Sequence, residues 1–168
     1  MMKEIDKKVQ TAIARLKMFE PEEGYFVAFS GGKDSQCIYH LCEMAGVKFD
    51  AHYNVASVDP PELVRFIRER YTDVSREIPR DKNGEAVTMW NLIPQKLMPP
   101  TRVARYCCEH LKEKAGVGWA TVTGVRWAES VSRAEKHGSI TIPNAGKRLK
   151  ADMEEKGVNF TSTSKGGW

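Results

Sequence analysis

Residues 25–29, Tyr-Phe-Val-Ala-Phe, are an unbroken apolar run too short for a helix, and Ser-Gly-Gly-Lys-Asp-Ser follows at once. A strand without polar alternation is one covered on both faces, as in a parallel sheet. Parallel strands need crossover connections, so helices must follow. After Ser35 the pattern is indeed helical: Ile38, Leu41, Cys42 and Ala45 share a face, and Gly46 stands where a C-terminal stop belongs.

The rest of the chain repeats this alternation. Ile5, Val9, Ile13 and Leu16 recur at helical spacing and predict a helix within residues 1–20. A second strand is expected over 47–55. Asp59 then reads as a helix cap with Pro60 in the first turn, and Leu63, Phe66 and Ile67 as the buried stripe. A third strand is expected over 73–78, a short helix over Met89–Ile93 in a loop-rich stretch, a helix over 102–116 ending at Gly116, and a strand over 119–126. The expected fold class is α/β: an open, mostly parallel, Rossmann-like sheet flanked by helices, in one domain spanning 1–168. Residues 134–168 read as a divergent C-terminal extension, with a strand at 139–143, a polar helix at 145–157 and a strand or frayed tail at 158–168.

Composition narrows the classes of function. The formal charge of +4 comes from basic residues interleaved with acidic ones, so nucleic acid is not indicated as a partner. No apolar segment is long enough to span a bilayer, and the first residues lack the apolar core of a signal peptide, so no membrane partner and a cytoplasmic location are expected. Cysteines 37, 42, 107 and 108 include an adjacent pair, a poor framework for disulfides and one that fits a reducing compartment.

The turn after the first strand has the makings of an anion cradle. Amide donors of Gly31, Gly32 and the first helical turn, the positive end of the helix, the Lys33 ammonium and the Ser30 and Ser35 hydroxyls can converge on a phosphate group. The spacing is not that of the P-loop of nucleotide hydrolases, which needs a longer interval before its Gly-Lys pair.

Ser30–Ser35 resembles the phosphate motif of the PP-loop adenine nucleotide binders, a group of ATP pyrophosphatases, sulfurtransferases and phosphoadenosine phosphosulfate (PAPS) reductases. Val-Asp-Pro-Pro-Glu-Leu at 58–63, Arg-Tyr-Cys-Cys-Glu-His-Leu-Lys at 105–112 and Thr-Gly-Val-Arg-Trp-Ala-Glu-Ser-Val-Ser-Arg at 123–133 bring the resemblance closer to the PAPS reductase branch and its DNA-sulfur-modification relatives. The resemblance implies that Ser30, Gly31, Gly32, Lys33, Asp34 and Ser35 hold the phosphates of an adenine nucleotide, ATP or PAPS/APS, with Mg2+ as an accompanying ion. It implies that the backbone of Ala28, Phe29 and Val55–Ser57 lines the adenine, that Ser57 and Gly124 belong to the nucleotide site, and that Arg126 and Arg133 meet phosphate or sulfate oxygens. Trp127 stands where many members carry a charged residue, so the identity of the anion stays open.

The cysteines depart from that family. Its iron-sulfur members add a later Cys-x-x-Cys to the adjacent pair, and its reductases attack sulfur with a cysteine near the C-terminus; no cysteine follows Cys108 here. A complete cluster within this chain is therefore not expected, and Cys107 and Cys108 are the candidate catalytic or metal-binding thiols. Arg102, Arg105 and Lys112 would favour a thiolate, but adjacent helical cysteines point in different directions, so only one can face a site. Cys37 and Cys42 read as small apolar packing residues. His40, His52 and His110 are weaker candidates, read as satisfied histidines. The expected function is adenine nucleotide binding without complete reductase activity. ATP pyrophosphatase or sulfurtransferase chemistry is one alternative, and a non-catalytic nucleotide-binding protein from a mobile element, acting on a protein partner or as a homodimer, is another.

Overall fold

The computed structural model describes residues 2–112, 116, 119–124, 140–143 and 160–163. The chain divides into two compact units, Met1–Gly124 and Val125–Trp168. The first contains a four-stranded, all-parallel sheet with flanking helices, so the α/β expectation holds.

Helix α1, Met2–Met18, leads to strand β1, Tyr25–Ala28. Only the second half of the α1 stripe, Ile13 and Leu16, packs against the core; Ile5 is exposed. Helix α2 spans Lys33–Ala45, and Gly46 closes it in the left-handed conformation (φ 66°), donating to the carbonyls of Cys42 and Glu43. β2 (Phe49–Asn54), α3 (Pro61–Arg70) and β3 (Ser75–Glu77) continue the alternation, each strand shorter than the stretch expected for it. Then come α4 (Met89–Lys96), α5 (Tyr106–Leu111) and β4 (Thr121–Val122). In the second unit β5 (Ile140–Pro143) pairs in parallel with β6 (Phe160–Thr163).

The strand order is β3-β2-β1-β4. The chain therefore builds outward from β1 to β3 and returns to the opposite side of β1. That reversal makes the carboxyl ends of β1 and β4 the topological switch point, where open α/β sheets bind ligands. Register fixes the neighbours there: Ala28 faces His52 and Val27 faces Val122.

The core explains why β1 carries no polar alternation. Tyr25, Phe26 and Val27 are all buried, and Val27, Phe29, Tyr39, Cys42, Ile67 and Tyr71 belong to one apolar cluster. Phe29, Tyr39 and Tyr71 meet at ring-centroid distances of 4.7–5.8 Å, within the range of favourable aromatic pairs. A second cluster joins Ala56, Met89, Leu92, Tyr106 and Leu111.

Several local expectations are corrected. Asp59 does not cap α3: Pro60 is the N-cap, extended at φ −57° and ψ 139°, and Pro61 supplies no N–H. The second proline moves the helix start one residue past Asp59's reach, and the carboxylate instead accepts the Tyr53 hydroxyl at 2.6 Å. Phe66 is exposed, its ring on the edge of Tyr71, so the α3 stripe narrows to Leu63 and Ile67. Cys37 is exposed as well, because the buried face of α2 runs through Ser35, Tyr39 and Cys42, and a residue two positions past Ser35 points the other way. Helix α4 continues three residues beyond Ile93 despite Pro94, anchored by a capping box between Thr88 and Asn91. The helix expected over 102–116 is described as α5 alone; Arg102–Ala104 precede it in irregular backbone.

Candidate functional site

The loop Ser30–Gly32 leaves the carboxyl end of β1 and enters α2 at the switch point. Gly31 has φ 72°, and a Cβ there would stand 2.7 Å from Leu63 Cδ1 and 3.0 Å from Ile67 Cδ1. The fold itself thus demands glycine at 31, for the turn and for the close approach of α3. Gly32 differs. Its φ is −74°, it is exposed, and a Cβ would meet only Ser30 Oγ, at an ordinary 3.4 Å. Among the described residues nothing requires position 32 to lack a side chain.

The two serines lace the loop together. Ser35 Oγ donates to the Gly32 carbonyl at 2.9 Å and accepts the Ser30 amide at 3.2 Å, and the two hydroxyls are 3.2 Å apart. Ser35 is 8% exposed, so its hydroxyl shapes the cradle from inside, while Ser30 is exposed. Gln36, which sequence reasoning passed over, donates from Nε2 to the Gly31 carbonyl at 2.7 Å. Its place one turn into α2 was the available signal.

Lys33 opens α2 and is exposed; Asp34 follows, half-buried. The first amides of a helix have no partner along the helix, and the dipole adds positive potential there. Gly124, just past β4, comes to the same place: a Cβ on it would lie 3.0 Å from Asp34 Cβ and 3.1 Å from the Asp34 carbonyl. The structure therefore brings Ser30–Ser35 and Gly124 together. Arg126, Trp127 and Arg133 lie outside the described residues.

Ser57, after β2, adopts φ 58°, unusual for a residue with a side chain. Its hydroxyl donates to the Ala56 carbonyl at 2.6 Å and accepts the Met89 amide at 2.9 Å, so it fastens the start of α4. Of the backbone implied to line adenine, Ala28 is exposed, Phe29 is buried with its amide on His52, and the Val55 amide donates to Glu77.

The adjacent cysteines part as their helical geometry requires. Cys107 packs against the second apolar cluster, whereas Cys108 Sγ accepts a hydrogen bond from the Arg105 guanidinium at 3.4 Å. Of the two, Cys108 is the one beside a cation. Among the described residues no group of three or more His, Cys, Asp or Glu side chains is placed to hold a metal ion, and no helix is long and apolar enough to cross a membrane.

The histidines have distinct settings. His52 is stacked on Phe26 at 4.4 Å and bonds both Asp50 (2.9 Å) and Glu77 (2.6 Å). His40 bonds Glu43 and Tyr71. His110 Nε2 is buried without a partner among the described residues, at a cleft of about 290 Å3 beyond β2 and β3, lined also by Asn54, Glu77, Arg80 and Leu111. Comparison of the chain with protein-family models, curated proteins and solved structures finds no match in any of the three.

Proposed function

We propose that this protein binds an adenine nucleotide, ATP or PAPS/APS, with its phosphates over Ser30–Ser35, and that it lacks complete reductase activity. The observation that carries the reading is Gly32: an exposed glycine at a helix N-terminus, on the switch point, whose missing side chain no neighbour among the described residues explains. A phosphate group approaching the backbone does explain it. The resemblance of the Ser-Gly-Gly-Lys-Asp-Ser loop supplies the adenine half of the reading.

The chemistry of each part follows. The amides of Gly32 and the first turn of α2 offer donors to phosphate oxygens, and Lys33 adds a mobile charge. Ser35 and Gln36 hold the loop in shape. Mg2+, which keeps most of its water and rides on substrate phosphates, needs no protein cage. Reductive attack on sulfur needs an aimed thiolate; Cys108 is the thiol with a cation beside it, and Cys107 is turned into an apolar cluster.

Calorimetry and thermal shift with ATP, PAPS and adenosine test the reading. A ligand that binds only the folded state raises stability by about 2.7 kcal/mol at a hundredfold excess over Kd. Wild type is expected to respond to ATP or PAPS and hardly to adenosine, and Lys33→Ala to lose most of that response while melting where the free protein melts. Equal shifts in wild type and Lys33→Ala would rule the cradle out.

A further inference from the structure

A chain of four side chains connects the surface of α2 to the backbone of the phosphate loop, and the atoms in it that can only accept constrain the rest. The Gly31 carbonyl can only accept, so Gln36 presents Nε2 to it, at 2.7 Å. The Gln36 amide is thereby oriented, and its Oε1 faces Tyr71, whose hydroxyl donates to it at 3.0 Å. That hydroxyl has one hydrogen. The contact of Tyr71 Oη with His40 Nε2, at 3.3 Å, must then be donated by the imidazole. At the far side of the ring His40 Nδ1 lies 2.8 Å from the Glu43 carboxylate, which also only accepts. Both ring nitrogens donate, so the full chain exists only with His40 as the imidazolium.

The end of the chain matters because of peptide geometry. The Gly31–Gly32 peptide is planar and trans, so its C=O and N–H point in opposite directions. Gln36, by holding the Gly31 carbonyl inward, aims the Gly32 N–H outward, to the exposed side where it donates to Ser30 Oγ at 3.4 Å. That is the side on which the proposed phosphate sits. When His40 loses a proton it keeps one N–H. With that hydrogen on Glu43, the bare Nε2 draws the Tyr71 hydrogen to itself, and Gln36 loses its donor.

We propose that Glu43, His40, Tyr71 and Gln36 form a proton-linked brace that aims the Gly32 amide, so that the loop holds phosphate most tightly while His40 is protonated. The affinity clause rests on the nucleotide reading above; the brace itself does not. The groups facing the ring are few. Glu43 and Tyr39 come from α2 and Tyr71 from the end of α3, while Asp73, in the turn beyond, acts with Glu43 on Tyr39. Arg68 and Arg70, in the last turn of α3, are exposed and give the ring no bond among the described residues, and neither does α1, which packs along α2.

Two measurements on the full chain test this. In the free protein, NMR across about pH 5.5–8.5, the range in which histidine titrates, follows the His40 ring and the Gly32 amide together. The Gly32 resonance is expected to move with the His40 titration in wild type and to lose that movement in Tyr71→Phe and in His40→Gln. A Gly32 amide indifferent to His40, or one that follows it undiminished in Tyr71→Phe, overturns the brace whether or not any ligand binds.

Calorimetry with pyrophosphate and with ATP supplies the second arm. Wild-type affinity, divided by that of His40→Ala at each pH to cancel the ligand's own titration, is expected to fall about three- to tenfold from low to high pH, the size of one net hydrogen bond. His40→Gln, whose amide donates to Tyr71 at every pH, is expected to keep the high affinity throughout. A ratio that does not change with pH overturns the affinity clause. Failure of both probes to bind at any pH overturns it together with the nucleotide reading, and the Gly32 titration still decides the brace.

Discussion

Gly31 and Gly32 are adjacent and alike in sequence, yet the structure gives them unlike tasks. Gly31 sits at φ 72° with Leu63 Cδ1 at 2.7 Å from any added Cβ, so Gly31→Ala has to distort the turn and displace α3. We expect it to cost about 1–3 kcal/mol, from left-handed strain and overpacking together. Gly32→Ala adds a methyl group to open space at an ordinary φ, and we expect stability within about 0.5 kcal/mol of wild type. The same methyl group stands where a phosphate would lie, so Gly32→Ala should lose most ATP or PAPS affinity at full stability. Denaturant melts paired with calorimetry separate the two; a Gly32→Ala protein that binds as wild type does would show that the ligand lies elsewhere. The doublet was legible in the sequence, but the division of labour was not, because it depends on Leu63 and Ile67, some thirty residues away.

Helix α2 shows how far periodicity carries. The alternation of apolar runs and helical stripes was enough to place the helix, its Gly46 stop and its entry from β1, since these follow from local chemistry. The buried face was harder to read. Tyr39, outside the expected stripe of Ile38, Leu41, Cys42 and Ala45, meets Phe29, Phe49 and Tyr71 in the cluster, while Cys37 faces solvent. Asp59 failed as a cap for a similar reason: the competing partner, Tyr53, arrives from another element. The thiols make the α2 faces measurable. Cys42 is fully buried and its thiol is pushed up to about 11 by burial, so a thiolate-selective reagent has neither access nor a nucleophile there. At neutral pH Cys37 is expected to react quickly and Cys42 only at the rate of global unfolding, as mass spectrometry of timed, alkylated samples would report. Cys42 labelled as fast as Cys37 in folded protein would contradict the assigned face.

At the scale of the molecule the four cysteines are spread over α2 and α5 in different environments: exposed, buried, packed in the second cluster, and hydrogen-bonded by Arg105. The order of motifs along the chain is legible in the sequence, but Arg126 and Arg133 lie outside the described residues, and the candidate site extends among those residues as far as Gly124. The core that holds it carries its own titratable groups. Burial is the main cause that raises Cys42 to about 11 and Tyr25 to about 12, with Cys42 and Glu20 adding to the latter. It also raises Tyr53, which Asp59 raises further by hydrogen bonding and by its charge. Each of these groups binds its proton more tightly folded than unfolded, so each contributes stability that is complete below its ordinary value and is lost as pH climbs through the folded one. For Cys42 that window runs from 9.0 to about 11, and for Tyr25 from 10.0 to about 12. Urea melts at successive pH values are therefore expected to show stability declining progressively above about pH 9. Tyr53→Phe removes one of these protons along with the Asp59 hydrogen bond, so it should lower stability at neutral pH and flatten the alkaline decline. An alkaline slope as steep in Tyr53→Phe as in wild type would mean that Tyr53 does not hold its proton against the solvent, and that the Tyr53–Asp59 contact does not join β2 to the approach of α3.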